Sequence, residues 1–268
     1  MRGYHRPVVS GSPLMPAADY EITDVRCAHQ RSGFEPDPPG TRHVLVFVRR
    51  GAFLRRTRGG EVLHDATTGY LMAPGQAEEF AHPADGGDTC TAICLSAPLL
   101  AELTGGDPLL DIPDLPMDEA SDRAFRHLAA LARRGDPAEH LVLTVAGLLA
   151  RRAGGLVASG RPGTEAARRR LVNEAREILH AQPRTGLTEL ARRVNCSPHH
   201  LSRLFTQLTG TGVSRYRNRI RVAEALERIG AGEADLAALA SDLGFADQSH
   251  LTRAVRALTG KPPAAWRS

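Results

Sequence analysis

Lysine occurs once in this chain of 268 residues, at Lys261, tryptophan once, at Trp266, and cysteine only at Cys27, Cys90, Cys94 and Cys196. Four thiols exclude a disulfide scaffold. No apolar h-region follows the first residues, Met1-Arg2-Gly3-Tyr4-His5-Arg6-Pro7, so secretion is not expected and a cytoplasmic address is. No apolar run approaches the roughly 20 residues of a membrane span, because the longest, residues 141–150, is broken by Thr144 and Gly147. The sequence carries no phosphate loop, nucleophile elbow or zincin motif, and no catalytic residue is expected. What is present is ordinary globular material: 42% hydrophobic and 24% charged residues, in a length sufficient for two domains.

Charge is unevenly placed. From Arg161 onward there are 18 basic and 10 acidic residues, net +8, whereas the first 160 residues carry net −4. A basic region tethered to a mildly acidic one points to an anionic partner, and nucleic acid ranks above a membrane surface because no basic amphipathic anchor is visible. The near-total preference for arginine over lysine is read as genomic base composition, without mechanistic weight.

Residues 1 to about 40 are rich in proline and glycine and read as an irregular arm with one strand over 20–29. Strand signals then follow at 43–48, 52–57, 61–64, 68–75 and 89–96, separated by turns such as Gly59-Gly60 and Pro74-Gly75, the rhythm of a small barrel or sandwich. After Pro116 the period becomes helical. Phe125, Leu128 and Leu131 mark one helix over 121–134, and Leu141, Val145, Leu148 and Leu149 a second over 137–152. The stretch 154–164 reads as a linker, which divides the chain into 1–116, 117–153, 154–164 and 165–268.

The last part contains an internal repeat. Leu201-Ser202-Arg203 matches Leu251-Thr252-Arg253, Leu208-Thr209-Gly210 matches Leu258-Thr259-Gly260, and Tyr216-Arg217 matches Trp266-Arg267, all fifty positions apart. Upstream, Leu190-Ala191 matches Leu239-Ala240 one position closer, so the second copy has an extra residue in its turn. Each copy reads as a short helix, a tight turn and a second helix opened by a capping residue, Ser197 (followed by Pro198) or Asp247. That is the helix-turn-helix pattern. In the first copy Leu201, Leu204, Phe205 and Leu208 form the apolar stripe, leaving His199, Ser202, Arg203 and Thr206 outward. In the second, Leu251, Ala254, Val255 and Leu258 face inward, and Ser249, Thr252, Arg253 and Arg256 take the same outward places. Arginine in such places can hold guanine O6 and N7, while Ser, Thr and His reach bases or phosphates. A helix over 213–229 would join the units as a rod of about 25 Å, suited to successive major-groove segments. Arg217, Arg219 and Arg221 on it are candidates for phosphate contact or for pairing with Glu224 and Glu227.

Over about residues 166–268 the chain resembles the AraC/XylS family of bacterial transcription regulators. The resemblance rests on Leu187-Thr188-Glu189-Leu190-Ala191, Ser197-Pro198-His199-His200-Leu201-Ser202-Arg203-Leu204-Phe205, Thr209-Gly210, Tyr216, Arg221, Ala223-Glu224-Ala225-Leu226, Leu239-Ala240, Gly244-Phe245-Ala246-Asp247-Gln248-Ser249 and Thr259-Gly260-Lys261-Pro262-Pro263 with Trp266-Arg267. It implies two helix-turn-helix units joined by a long helix, with bases read by His199, Arg203, Ser249 and Arg253. Leu251 and Val255 depart from the family, which usually has Phe there, and Gly212 replaces a common Pro. The region 43–96, with Gly51, Gly69 and Pro74-Gly75, resembles the family's cupin-like sensor domain. Taken together, the expectation is an α+β chain: a cupin-like β-barrel with a two-helix dimerisation element, then an all-α double helix-turn-helix domain. The resemblance implies a homodimer that binds promoter DNA, a small-molecule effector in the barrel, and RNA polymerase as a further partner, with no cofactor. The candidate effector-lining residues are Phe47, Phe53, Tyr70, Met72 and Phe80.

The same residues permit two other readings. Cys90 and Cys94 share a strand face, and with Cys27, His64 or His82 they suggest a metal- or thiol-responsive regulator. Their separation of about 13 Å along a strand argues against one shared ion, so buried small hydrophobes are expected and no metal ligand is assigned. A metal-dependent cupin enzyme fused to a DNA-targeting module is the rival from another class. His43, His64 and His82 lack the close His-x-His pair that such enzymes use.

Overall fold

A computed structural model describes residues 9–28, 33–58, 60–83, 87–104, 115–136 and 162–267. Its N-terminal half is two facing sheets. One has the order β1 (Val9–Pro16), β2 (Tyr20–Cys27), β9 (Asp88–Leu95), β4 (His43–Arg50), β7 (Thr68–Met72) and β10 (Leu115–Pro116). The other has the order β3 (Glu35–Asp37), β8 (Glu78–Ala81), β5 (Ala52–Thr57) and β6 (Gly60–Asp65). The arm is therefore more ordered than its composition suggests: besides the expected β2 it supplies β1 and β3. Among the described residues β1 pairs only with β2, at the sheet edge, and its register shifts between Pro13 and Met15. An edge strand tolerates prolines that a central ladder would reject.

Alternation along β4 and β9 gives the larger sheet two apolar faces. Leu45, Phe47, Ile93 and Leu95 point outward, where α2 (Glu119–Arg134) covers them with Phe125 and Leu128, and a short helix α1 (Ala97–Thr104) adds Leu99 and Leu100. Val46, Val48, Cys90 and Ala92 point inward with Phe53 and Tyr70. Burial of Phe125 and Leu128 is nearly complete, about 2 to 3 kcal/mol each from apolar area. Asp118 caps α2 by accepting from the Ser121 N–H at 2.8 Å, and Gly135 ends it at φ 71°. The helix expected over 137–152 and the linker over 154–161 lie outside the described residues.

The C-terminal half is helical throughout: α3 (Pro162–Ala181), α4 (Leu187–Arg193), α5 (Pro198–Thr209), α6 (Val213–Gly230), α7 (Leu236–Asp242), α8 (Gln248–Thr259) and a terminal 3-10 turn (Pro263–Trp266). α3 starts inside the stretch read as linker. Two separate cores result. Val172, Leu190, Leu201, Phe205 and Tyr216 fill the first, and Ile229, Leu239, Phe245, Leu251 and Val255 the second. Leu251 and Val255, the departures from family pattern, are fully buried there. No helix among the described residues is long and apolar enough to cross a membrane.

The sequence repeat is reproduced bond for bond. Ser197 accepts from the His200 N–H at 3.2 Å, and Asp247 from the His250 N–H at 2.6 Å. Asn195 (φ 55°) and Gly244 (φ 76°) hold the left-handed turn residue of the two units. At the other end, Thr209 Oγ1 lies 2.8 Å from the Phe205 carbonyl and accepts from the Thr211 N–H at 3.3 Å. Thr259 Oγ1 does the same with the Val255 carbonyl at 2.9 Å and the Lys261 N–H at 3.2 Å.

Candidate nucleic-acid interface

On α5, His199, Arg203 and Thr206 are exposed and Ser202 half-buried; on α8, Ser249, Arg253 and Arg256 are exposed and Thr252 half-buried. Each set of four lies opposite its buried stripe, since capping fixes where each helix starts and so which side turns to solvent. Arg203, Arg253 and Arg256 pair with no carboxylate among the described residues, so their guanidinium forks remain available to an external acceptor. Thr206 spends its hydroxyl on the Ser202 carbonyl at 2.9 Å.

The arginines of α6 behave differently. Arg217 donates to the Thr185 carbonyl at 3.0 Å, Arg219 to the Met117 carbonyl at 2.8 Å, and Arg221 to the Pro183 carbonyl at 3.2 Å. Arg219 and Arg221 are buried, and burial together with Arg217 and Arg184 pulls Arg221 down to about 10. These side chains tie α6 to its surroundings. Their expected partners Glu224 and Glu227 are engaged elsewhere, Glu224 by Arg50 at 2.6 Å and Glu227 by Arg133 at 3.4 Å.

Those last two pairs belong to a seam between the barrel and the helical half. At one end Asp65, fully buried at the end of β6, receives Arg176 from α3 at 2.6 Å and the Tyr216 hydroxyl from α6, with His180 Nε2 at 3.4 Å. Burial alone would raise this carboxyl, but Arg176, His180 and Tyr216 hold it well below the usual range. Burial and the neighbouring Asp65 push the Tyr216 phenol well up, so it stays a donor. At the other end Arg49, almost fully buried, pairs with Asp24 and lies 3.7 Å from Glu227. Burial raises Glu227, and Arg133 opposes that. Further along, Arg215 meets Glu119 at 2.5 Å and Trp266 stacks near His127 at 5.5 Å between ring centres. Between the two halves lies a cleft of about 340 Å3 bounded by Arg50, Gly51, Pro83, Gly87, His180 and Glu224.

None of the seam was anticipated from sequence. One signal existed: Arg176 stands inside the apolar stripe of Val172, Ala175 and Leu179, a place where an arginine needs a buried partner.

Of the effector-lining candidates, Phe53, Tyr70, Met72 and Phe80 gather inside the barrel, with Phe53 5.7 Å from Phe80 and 6.0 Å from Tyr70 between ring centres. Phe47 does not join them. Strand alternation turns it outward onto Phe125, 4.2 Å away, so it belongs to the core under α2. Arg55 and Glu78, paired at 2.5 Å and both almost fully buried, bring charge into the same interior, with Arg55 4.5 Å above the Tyr70 ring. His64 is wholly buried beside Tyr70, ring centres 4.6 Å apart, and neither ring nitrogen finds a hydrogen-bond partner. Burial first, then Arg55 and Arg176, lower its pKa well below the usual value.

Residues 190–268 match a family model described as a helix-turn-helix domain. The chain is 31% identical over 81 residues to the regulatory protein PocR of Salmonella typhimurium, covering 30% of this chain and 27% of that one. It is 24% identical over 98 residues to the Msm operon regulatory protein of Streptococcus mutans, covering 36% and 35% respectively. The matched segment thus spans about a third of the length of these curated relatives. Among solved structures, ToxT from Vibrio cholerae aligns over 93% of this chain and 97% of its own, at 10% identity and a TM-score of 0.39.

Proposed function

Because the C-terminal part of this chain is a helix-turn-helix domain of the AraC/XylS type, we propose that the protein is a sequence-specific DNA-binding transcription regulator, controlled by a small-molecule effector acting through the barrel. The observation that carries the reading is the duplicated unit, which presents equivalent exposed faces, His199, Ser202, Arg203, Thr206 and Ser249, Thr252, Arg253, Arg256, to solvent. Two such faces on one chain suit two successive major-groove segments of promoter DNA. The protein acts as a cytoplasmic homodimer, paired through the helical element that begins with α2, and it performs no catalysis of its own. RNA polymerase is a further partner at the promoter.

The barrel residues Phe53, Tyr70, Met72 and Phe80 favour an effector with an apolar body, and the Arg55–Glu78 pair supplies polar selectivity. An effector changes DNA affinity only if it binds the competent and incompetent arrangements unequally. The seam through Asp65, Arg176 and Tyr216 is the contact through which that difference passes. Genome-wide occupancy mapping, followed by titration of the recovered sites against salt, tests the reading. Enriched sites bound with an affinity that falls steeply as salt rises are expected. Absence of enrichment, together with binding indifferent to salt, would sink it.

A further inference from the structure

We propose that Cys27, His82 and Asp88, with Cys90 beside Asp88, form a binding site for a thiophilic divalent cation of the zinc class, set in the barrel wall behind the interdomain cleft. Three strands from both sheets bring the donors together. Cys27 at the end of β2 is the register partner of Asp88 at the start of β9, Cys90 follows two residues on, and His82 leaves the end of β8 in the opposite sheet. One donor atom each from Cys27, His82 and Asp88 lies within 4.8 Å of the other two. Cys27 Sγ is 3.5 Å from His82 Nε2, His82 Nε2 is 2.9 Å from Asp88 Oδ1, and Cys90 Sγ is 3.1 Å from Asp88 Oδ2. A tetrahedral zinc with sulfur at about 2.3 Å and nitrogen at about 2.05 Å spaces those two ligand atoms about 3.5 Å apart, so the first distance already fits.

The backbone is shaped to permit this approach. Gly87 has φ 63°, and a Cβ there would stand 1.8 Å from the Cys27 carbonyl oxygen. One on Gly51 would stand 2.4 Å from the Gly87 carbonyl oxygen. Only glycine at both positions lets β2, β4 and β9 close up beside the three donors.

The chemistry of the set selects the ion. One sulfur, one imidazole and one carboxylate, with a fourth position left open, suit zinc and its soft neighbours, whereas calcium and magnesium require oxygen shells. Asp88 and His82 are buried, and among the described residues no lysine or arginine pairs with Asp88. A cation would supply the positive charge that a carboxylate in such surroundings needs. The strand-spacing argument against Cys90 with Cys94 still holds; the sulfur that joins His82 and Asp88 is Cys27, from the neighbouring strand. Gly51, Pro83 and Gly87, which surround the donors, also line the cleft facing Glu224 on α6.

The test uses full-length protein purified under reducing, anaerobic conditions, stripped by chelator, reloaded with Zn2+, dialysed and assayed for metal. A single zinc per chain is expected, with affinity lowered at least ~10-fold in Cys27→Ser and His82→Gln and unchanged in Cys94→Ser and Cys196→Ser. Co2+ should give the thiolate charge-transfer band of a tetrahedral sulfur-bound ion. Should a variant fail to fold by circular dichroism, Zn2+ protection of Cys27 from alkylation in the unaltered protein, read by mass spectrometry, stands in for it. Zinc lost on dialysis, retained equally by Cys27→Ser, or a cobalt spectrum without a thiolate band overturns the proposal. DNA binding enters none of these readouts, so the site stands or falls separately from the regulator reading.

Discussion

Arg176 on α3 and Asp65 at the end of β6, 111 positions apart in sequence, meet at 2.6 Å in full burial. A buried ion pair adds little net stability, since desolvation offsets the attraction, but losing one partner leaves a charge stranded in the interior. The pair therefore specifies how the halves dock more than how tightly.

Asp65→Asn should accordingly destabilise the docked arrangement by about 3 kcal/mol, because the Arg176 charge stays buried without its counter-ion. Tyr216→Phe, which removes one donor to the same carboxylate, should cost about 1 kcal/mol. Denaturant titration, with limited proteolysis as a probe of undocking, checks both. An Asp65→Asn protein as stable as its parent would refute the seam's role.

His64 gives the acid limb of the stability curve. Its folded-state pKa is depressed, so below about 6.5 the unfolded chain takes up a proton that the folded one refuses, and stability falls as pH falls. Asp65 is depressed as well, but its contribution is complete above about pH 4 and is lost only below that. Between pH 6.5 and 4 the loss should thus carry a His64 component, which His64→Leu removes. Thermal melts of parent and variant across that window should diverge with falling pH. Parallel curves would contradict the assignment.

Arg203→Ala and Arg253→Ala should each weaken operator binding by about 1 to 3 kcal/mol and relax preference at one base pair, each in a different half of the site. Selection from randomised duplexes would show where. A uniform loss over all sequences would make the residue a phosphate contact.

Thr209→Val and Thr259→Val remove equivalent hydroxyls from equivalent places. Each should cost about 1 kcal/mol, with the two values close to each other. Chemical denaturation of the single variants tests the equivalence; a threefold disparity would show that the two units differ in packing despite the same hydrogen bonds.

The helical half was legible because its information is local: a cap, a turn residue and an apolar stripe recur fifty positions on, as Ser197 with Leu201 and Asp247 with Leu251. In the barrel, β4, β5, β6, β7 and β9 announced themselves as short apolar runs bounded by turn signals. β1 did not, since Pro13 and Pro16 mask an edge strand that pairs with β2 alone among the described strands. Phe47 shows the limit of pattern on a sheet covered on both faces, where inward and outward residues are equally apolar. The seam, and the place of Asp88 beside Cys27 and His82, were hidden for another reason. Each joins residues that are unremarkable singly and become meaningful only when strands or helices distant in the chain are laid side by side.

One bar, α6, touches the barrel through Tyr216, Arg219, Glu224 and Glu227, while its other residues help to build both helical cores. It works as a crankshaft: motion imparted anywhere along it reaches both reading heads together. Second-site changes that restore response to a signal-deaf barrel should consequently collect on this bar, and a chimaera with foreign heads would keep its obedience to the barrel only if the bar were inherited whole.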